Sequence, residues 1–158
     1  MMKRMLLCAV AASAAVVLSG SSAVAADNWV GTWKLNVAKS RFKPGPPLKS
    51  QTLSFEKTAD GIQLTMDGVG ADGTATKGGY TAKFDGTETP WTGNPNADTA
   101  SPKRIDANHY RNVWKKDGKV TVTASVAVSP NGKTLTVTQR GKDAQGRVMN
   151  TIEVFDRQ

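Results

Sequence analysis

"KVTVTASVAVSPNGKTLTVTQR", Lys119 to Arg140, decides the fold class. Val120, Val122, Ala124, Val126 and Val128 alternate with Thr121, Thr123, Ser125 and Ala127. Leu135 and Val137 then alternate with Thr134, Thr136 and Thr138. The period is two, and successive side chains of a strand point to opposite faces, so each run carries one apolar and one polar face. This is the pattern of antiparallel strands wetted on one side. Between the runs stands Pro130-Asn131-Gly132. Asn and Gly accept the positive φ that a tight hairpin demands.

Working outward, the same period recurs. Ile62, Leu64 and Met66 alternate with Gln63 and Thr65, and Tyr80, Ala82 and Phe84 form a further run. Asp60-Gly61, Asp72-Gly73, Asp117-Gly118 and Asp143 to Gly146 supply the turns. Short strands joined by tight turns describe a meander that packs as a sandwich or closes as a barrel. Helix has little room. "NVAKSRF", Asn36 to Phe42, holds one turn at most, because Pro44, Pro46 and Pro47 stop any helix after it. The longest irregular stretch, Asp85 to Pro102, carries an isolated Trp91. Two readings stand for it: a functional loop, or a short strand from Glu88 to Thr92 between two ordinary loops.

The N-terminus reads as a secretory signal peptide over residues 1–25. Lys3 and Arg4 precede an apolar and small-residue run from Met5 to Leu18, and Ala23-Val24-Ala25 offers a signal peptidase its small residues. Cleavage after Ala26 is the alternative. The run is shorter than the about 20 residues of a spanning helix, so no transmembrane segment is expected once it is removed. Residues 26–158 then form a single barrel-like β-domain, exported to the periplasm or beyond the cell. The lone cysteine, Cys8, leaves with the signal, so the mature chain has no disulfide and no thiolate chemistry. The full chain has 21 basic and 13 acidic residues; losing Lys3 and Arg4 leaves 19 against 13, a net charge of +6. That balance favours anionic surfaces such as those of the cell envelope. Its densest part, Ser101 to Lys119, interleaves Tyr110 and Trp114 with six basic residues. In an exported protein this reads as the solvated face of two strands, not as a nucleic-acid surface.

Gly31-Thr32-Trp33, within "WVGTWKLNVAKSRF" (29–42), resembles the G-x-W of the first strand of lipocalins. "GTWKL" is equally similar to the opening of intracellular fatty-acid-binding proteins, and "GTW" to that of avidin-like barrels. The resemblance implies an all-β fold, an antiparallel meander closing into a lipocalin-like, calycin-type barrel of about eight to ten strands. It implies that Trp33 packs across the closed end with an arginine against it, Arg147 or Arg140. A wider likeness, through "YTAKFDG", "TGNPNADTASPKRIDAN" and "NGKTLTVTQRGKDAQGRVMNTIEVFDRQ", is to small exported bacterial proteins described as lipocalin-like. It implies export and one β-domain, and carries no activity across.

Catalysis has few materials. His109 is the only histidine, and "DANHYRN" reads as a polar turn or strand end with an exposed imidazole. One histidine cannot build a zinc site. Asp67 and Asp72 do not have the EF-hand spacing. Glu56, Glu88 and Glu153, the only glutamates, stand in no recognisable motif. No enzyme and no cofactor is expected. Binding is better supplied, and Tyr80, Phe84, Trp91, Tyr110 and Trp114 are the candidate ligand-contacting residues. Ala82, Ala124, Val120, Val122 and Val126 are the small inward positions; they suit an open interior and a tightly filled one alike. Two functions are therefore expected in turn: a carrier of a small apolar or amphipathic ligand, or a structural or interaction protein of the envelope with a basic outer face.

Overall fold

The computed structural model describes residues 27–158. The signal peptide expected over residues 1–25 lies outside them. Ten antiparallel strands follow: β1 (Gly31–Leu35), β2 (Ser50–Lys57), β3 (Ile62–Val69), β4 (Ala75–Ala82), β5 (Thr89–Pro90), β6 (Thr99–Arg104), β7 (His109–Lys116), β8 (Lys119–Val128), β9 (Thr134–Lys142) and β10 (Val148–Arg157). They form one sheet in the order β4-β3-β2-β1-β10-β9-β8-β7-β6-β5. Sequential strands are neighbours, and β10 returns to pair with β1, so the sheet is an up-and-down meander curled into a nearly closed barrel. The period-two runs explain the register. Val126 pairs with Val137, and Val128 with Leu135, across the Pro130-Asn131-Gly132 hairpin, which places these apolar side chains on the inner face.

The remaining edge lies between β4 and β5. Gly79 and Thr92 exchange two backbone hydrogen bonds there, each 3.1 Å, and Thr89 Oγ1 donates to the Thr81 carbonyl at 2.8 Å. Glycine lets the two backbones approach: a Cβ on Gly78 would sit 1.9 Å from the Thr92 carbonyl oxygen. The irregular stretch from Asp85 to Pro102 therefore contains a two-residue strand, two isolated bridges (at Asp85 and Thr92) and the start of β6, close to the second of its two sequence readings. Trp91 is buried by this closure rather than displayed on a loop.

Local structure departs from simple alternation in two places. The β7–β8 register shifts between Trp114 and Lys115, leaving Thr121 without a partner, and Val120 beyond this bulge is 60% exposed. Its expected inward position is corrected accordingly; Val122, Ala124 and Val126 do face inward. Phe84 does not continue β4. It has φ +59°, leaves the strand and packs against Trp29. After β1 the chain makes one 3-10 turn, Val37–Lys39, which Asn36 caps by accepting a hydrogen bond from the Lys39 amide at 3.1 Å.

Candidate functional site

The two ends of the barrel are filled differently. One end is solid. Trp33 is fully buried, and its indole N–H donates to the Trp29 carbonyl at 2.7 Å. Over its ring, 4.1 Å from the centroid, lies the guanidinium of Arg157, the last residue of β10. Arg157 is tied down in turn. Its Nε donates to the Gly132 carbonyl at 2.6 Å and its Nη1 to the Val30 carbonyl at 3.0 Å. Gly31 makes room for it, with φ +130° and space for a Cβ only 2.7 Å from Arg157 Nη1. Leu135 and Phe155 are fully buried, and Trp29 stacks on Phe84 at 5.6 Å with Tyr110 edge-on at 5.4 Å.

The other end encloses a cavity of about 650 Å³. Phe42, Leu48, Leu53, Phe55, Leu64, Met66, Val126, Val137 and Met149 supply apolar wall. Tyr80, Trp91 and Trp114 form an aromatic side to it, with edge-to-face contacts at 5.2 Å (Tyr80–Trp91) and 4.9 Å (Trp91–Trp114). The mouth is framed by Pro44 to Pro46, Ala71 and Asp72, Gly93 to Asn96, and Asp143 with Arg147. Asp143 is buried and holds Arg147 Nε at 2.6 Å and the amides of Gln145 and Arg147 at 3.0 and 2.8 Å. Burial works to raise its carboxyl, but the amide and guanidinium of Arg147 hold it below the usual carboxylate range.

A polar cluster is set into the wall from β7, β9 and β10. Glu153 is only 8% exposed, and its Oε2 accepts a hydrogen bond from Gln139 Nε2 at 2.8 Å. Burial pushes the Glu153 carboxyl up to about 7, against the pull of the Gln139 hydrogen bond. Asn112 is also buried. Its Oδ1 accepts from the Ser101 amide at 3.0 Å, and its Nδ2 donates to the Tyr80 hydroxyl at 3.4 Å. Burial raises the phenols of Tyr80 and Tyr110 well above the ordinary tyrosine value. Thr151 is satisfied by the Lys43 backbone, at 3.0 and 3.1 Å. Ala124 stands directly opposite both Asn112 and Gln139 in the sheet, and its small side chain leaves the space between them open.

Of the five aromatic candidates, the structure brings Tyr80, Trp91, Tyr110 and Trp114 together around the cavity. Phe84 is not in its lining; it belongs to the solid end. The partner expected for Trp33 is corrected as well. Arg147 sits at the open mouth and Arg140 is exposed on β9, whereas Arg157 provides the stacking cation. Sequence reasoning did not name Gln139, and it set Glu153 aside as standing in no recognisable motif. Each falls on the inward beat of its strand, in the series Leu135, Val137, Gln139 and Met149, Thr151, Glu153, Phe155. His109 lies outside the cavity and pairs with Asp106 at 2.8 Å, both half-exposed. Among the described residues there is no group of three or more His, Cys, Asp or Glu side chains that could hold a metal ion, and no helix long and apolar enough to cross a membrane. The dense basic stretch is partly neutralised, with Lys115 paired to Glu88 at 2.5 Å and Lys116 to Asp98 at 2.6 Å.

Comparison with known proteins is sparse. No family model matches the chain, and no curated protein does. Among solved structures it is similar to zebrafish ileal bile acid-binding protein complexed with cholic acid, at 10% identity and a TM-score of 0.49, over 83% of this chain and 99% of that one.

Proposed function

We propose that this protein is exported and binds one small apolar or amphipathic molecule inside the barrel. The observation that carries the reading is the asymmetry of the interior. One end is packed solid around Trp33 and Arg157, while the other leaves about 650 Å³ between apolar and aromatic walls with a few convergent polar groups. A cavity of that size lies within the about 300–1,000 Å³ range of small-molecule sites, and its lining has their character. A barrel evolved only as a scaffold would fill this space, because unfilled volume forfeits packing energy. The signal-like N-terminus of the sequence supports export.

The test uses an uncharged solvatochromic dye such as Nile red, so that the basic surface does not attract the probe. Saturable binding with a blue-shifted emission is expected, insensitive to salt. Ala124→Phe projects a ring between Asn112 and Gln139 and should abolish it in a variant shown by circular dichroism to remain folded. Dye binding that the folded Ala124→Phe protein retains unchanged places the probe elsewhere and overturns the reading.

A further inference from the structure

We propose that the cavity selects an apolar amine, reading its ammonium group with Glu153 and Gln139, and rejects carboxylates of the same chain length. This deepens the ligand-binding reading and rests on it. The first observation is the charge of the lining. Asp72, Asp143 and Glu153 line the cavity against a single cation, Arg147. That cation stands at the mouth with its Nε already held by Asp143. No lysine contributes to the lining. Inside the mouth, Glu153 is thus the charged side chain of the lining.

The second observation is which polar capacity remains unspent. Asn112 uses its carbonyl on the Ser101 amide and one N–H of its amide on the Tyr80 hydroxyl. Thr151 is engaged by Lys43. The indole N–H groups of Trp91 and Trp114 and the Oε1 of Gln51, which also lines the cavity, lack protein partners, but these atoms are sealed from the surface, the cavity surface included. Glu153 spends one oxygen, and Gln139 one of its two amide N–H groups, on each other. What they leave is Oε1 of Glu153 and Oε1 of Gln139, both acceptors, and the second N–H of Gln139. An ammonium has three donors and no acceptor, whereas a carboxylate has acceptors only. The Glu153 carboxylate, the charged member of this pair, therefore favours the first and sets a like charge against the second. A cation beside Glu153 also relieves the cost of holding a carboxyl out of water. The other titratable groups around the cavity do not supply the missing positive charge: the Tyr80 and Tyr110 phenols stay neutral, and Asp72, Asp143 and Arg147 stand at the mouth.

The experiment compares dodecylamine, dodecanol and dodecanoate as competitors of the uncharged dye, below their micellar concentrations. It is run on the wild-type protein and on Glu153→Gln, at about pH 8, where an alkylamine is still protonated. The amine should bind at least about tenfold more tightly than the carboxylate, the factor a charge-assisted hydrogen bond supplies. The basic outer surface biases the assay the other way, so it cannot imitate this result. Glu153→Gln should erase the preference, bringing amine and carboxylate affinities to within about threefold of each other. A carboxylate that binds wild-type protein as tightly as the amine overturns the proposal, and so does an amine preference that survives in folded Glu153→Gln. Should that variant not fold, the wild-type ranking decides by itself. Dodecanol binding without amine preference sinks this inference alone, whereas failure of the dye and all three competitors to bind saturably sinks the ligand-binding reading with it.

Discussion

Glu153 makes the stability of this barrel depend on pH in a direction opposite to that of its surface acids. Burial raises its carboxyl from an ordinary 4.5 to about 7. Between those values the folded protein holds a proton that the unfolded chain has released, so stability falls as pH rises through the interval and is level above it. At about 1.4 kcal/mol per pH unit across that interval, the fully developed penalty is about 3–4 kcal/mol. That is a large share of the about 5–15 kcal/mol that holds a domain folded. Glu153→Gln keeps the size of the side chain and an acceptor for Gln139 but cannot ionise. The variant should exceed wild type by about 3 kcal/mol at pH 8 and by less than about 1 kcal/mol at pH 5. Urea unfolding followed by tryptophan fluorescence at several pH values measures both. The carboxyls of Asp72, Asp85, Glu88, Asp98, Asp106, Asp143 and Asp156 are held below their usual range. Their stabilisation is present above the unfolded carboxylate values and lost on further acidification, and being common to both proteins it cancels in the difference. A difference that is flat with pH, or one that shrinks from pH 5 to pH 8, refutes a buried carboxyl at position 153.

Trp33→Ala should cost about 3–5 kcal/mol in the same unfolding assay, as for other fully buried aromatic residues. Trp91→Ala should cost a similar amount, because the seam buries it against Tyr80 and Trp114; a loss under about 1 kcal/mol would return Trp91 to an exposed loop. Gly78→Val should part β4 from the segment after β5, since its Cβ meets the Thr92 carbonyl. Faster hydrogen exchange at the Gly79 and Thr92 amides, with β9 and β10 unchanged, is the expected signature.

The barrel was legible in the sequence because its signals are local. Alternation in Lys119–Val128 and Thr134–Lys142 reports which face is buried, and Asp-Gly and Asn-Gly pairs report where the chain turns. Closure was less legible, since it depends on residues far apart in sequence. Arg157 reaches Trp33 only because β10 pairs with β1, and nothing in the local spacing of Arg140, Arg147 and Arg157 distinguishes the one that does. Trp91 was ambiguous for the same reason: a two-residue strand and a two-bond seam leave almost no periodic trace.

Glu153 is the instructive case, because its position was readable and its meaning was not. Alternation from Phe155 puts it on the inner face, where a charged side chain contradicts the pattern around it. No motif surrounds Glu153, and in this chain the conflict between residue type and position is itself the signal. Natural sequences agree with their folds at most positions and break that agreement where function demands it. A buried carboxyl with no cation beside it costs stability that an apolar side chain there would not. Its place beside Gln139, in the part of the barrel left unfilled, is what the proposed ligand site accounts for.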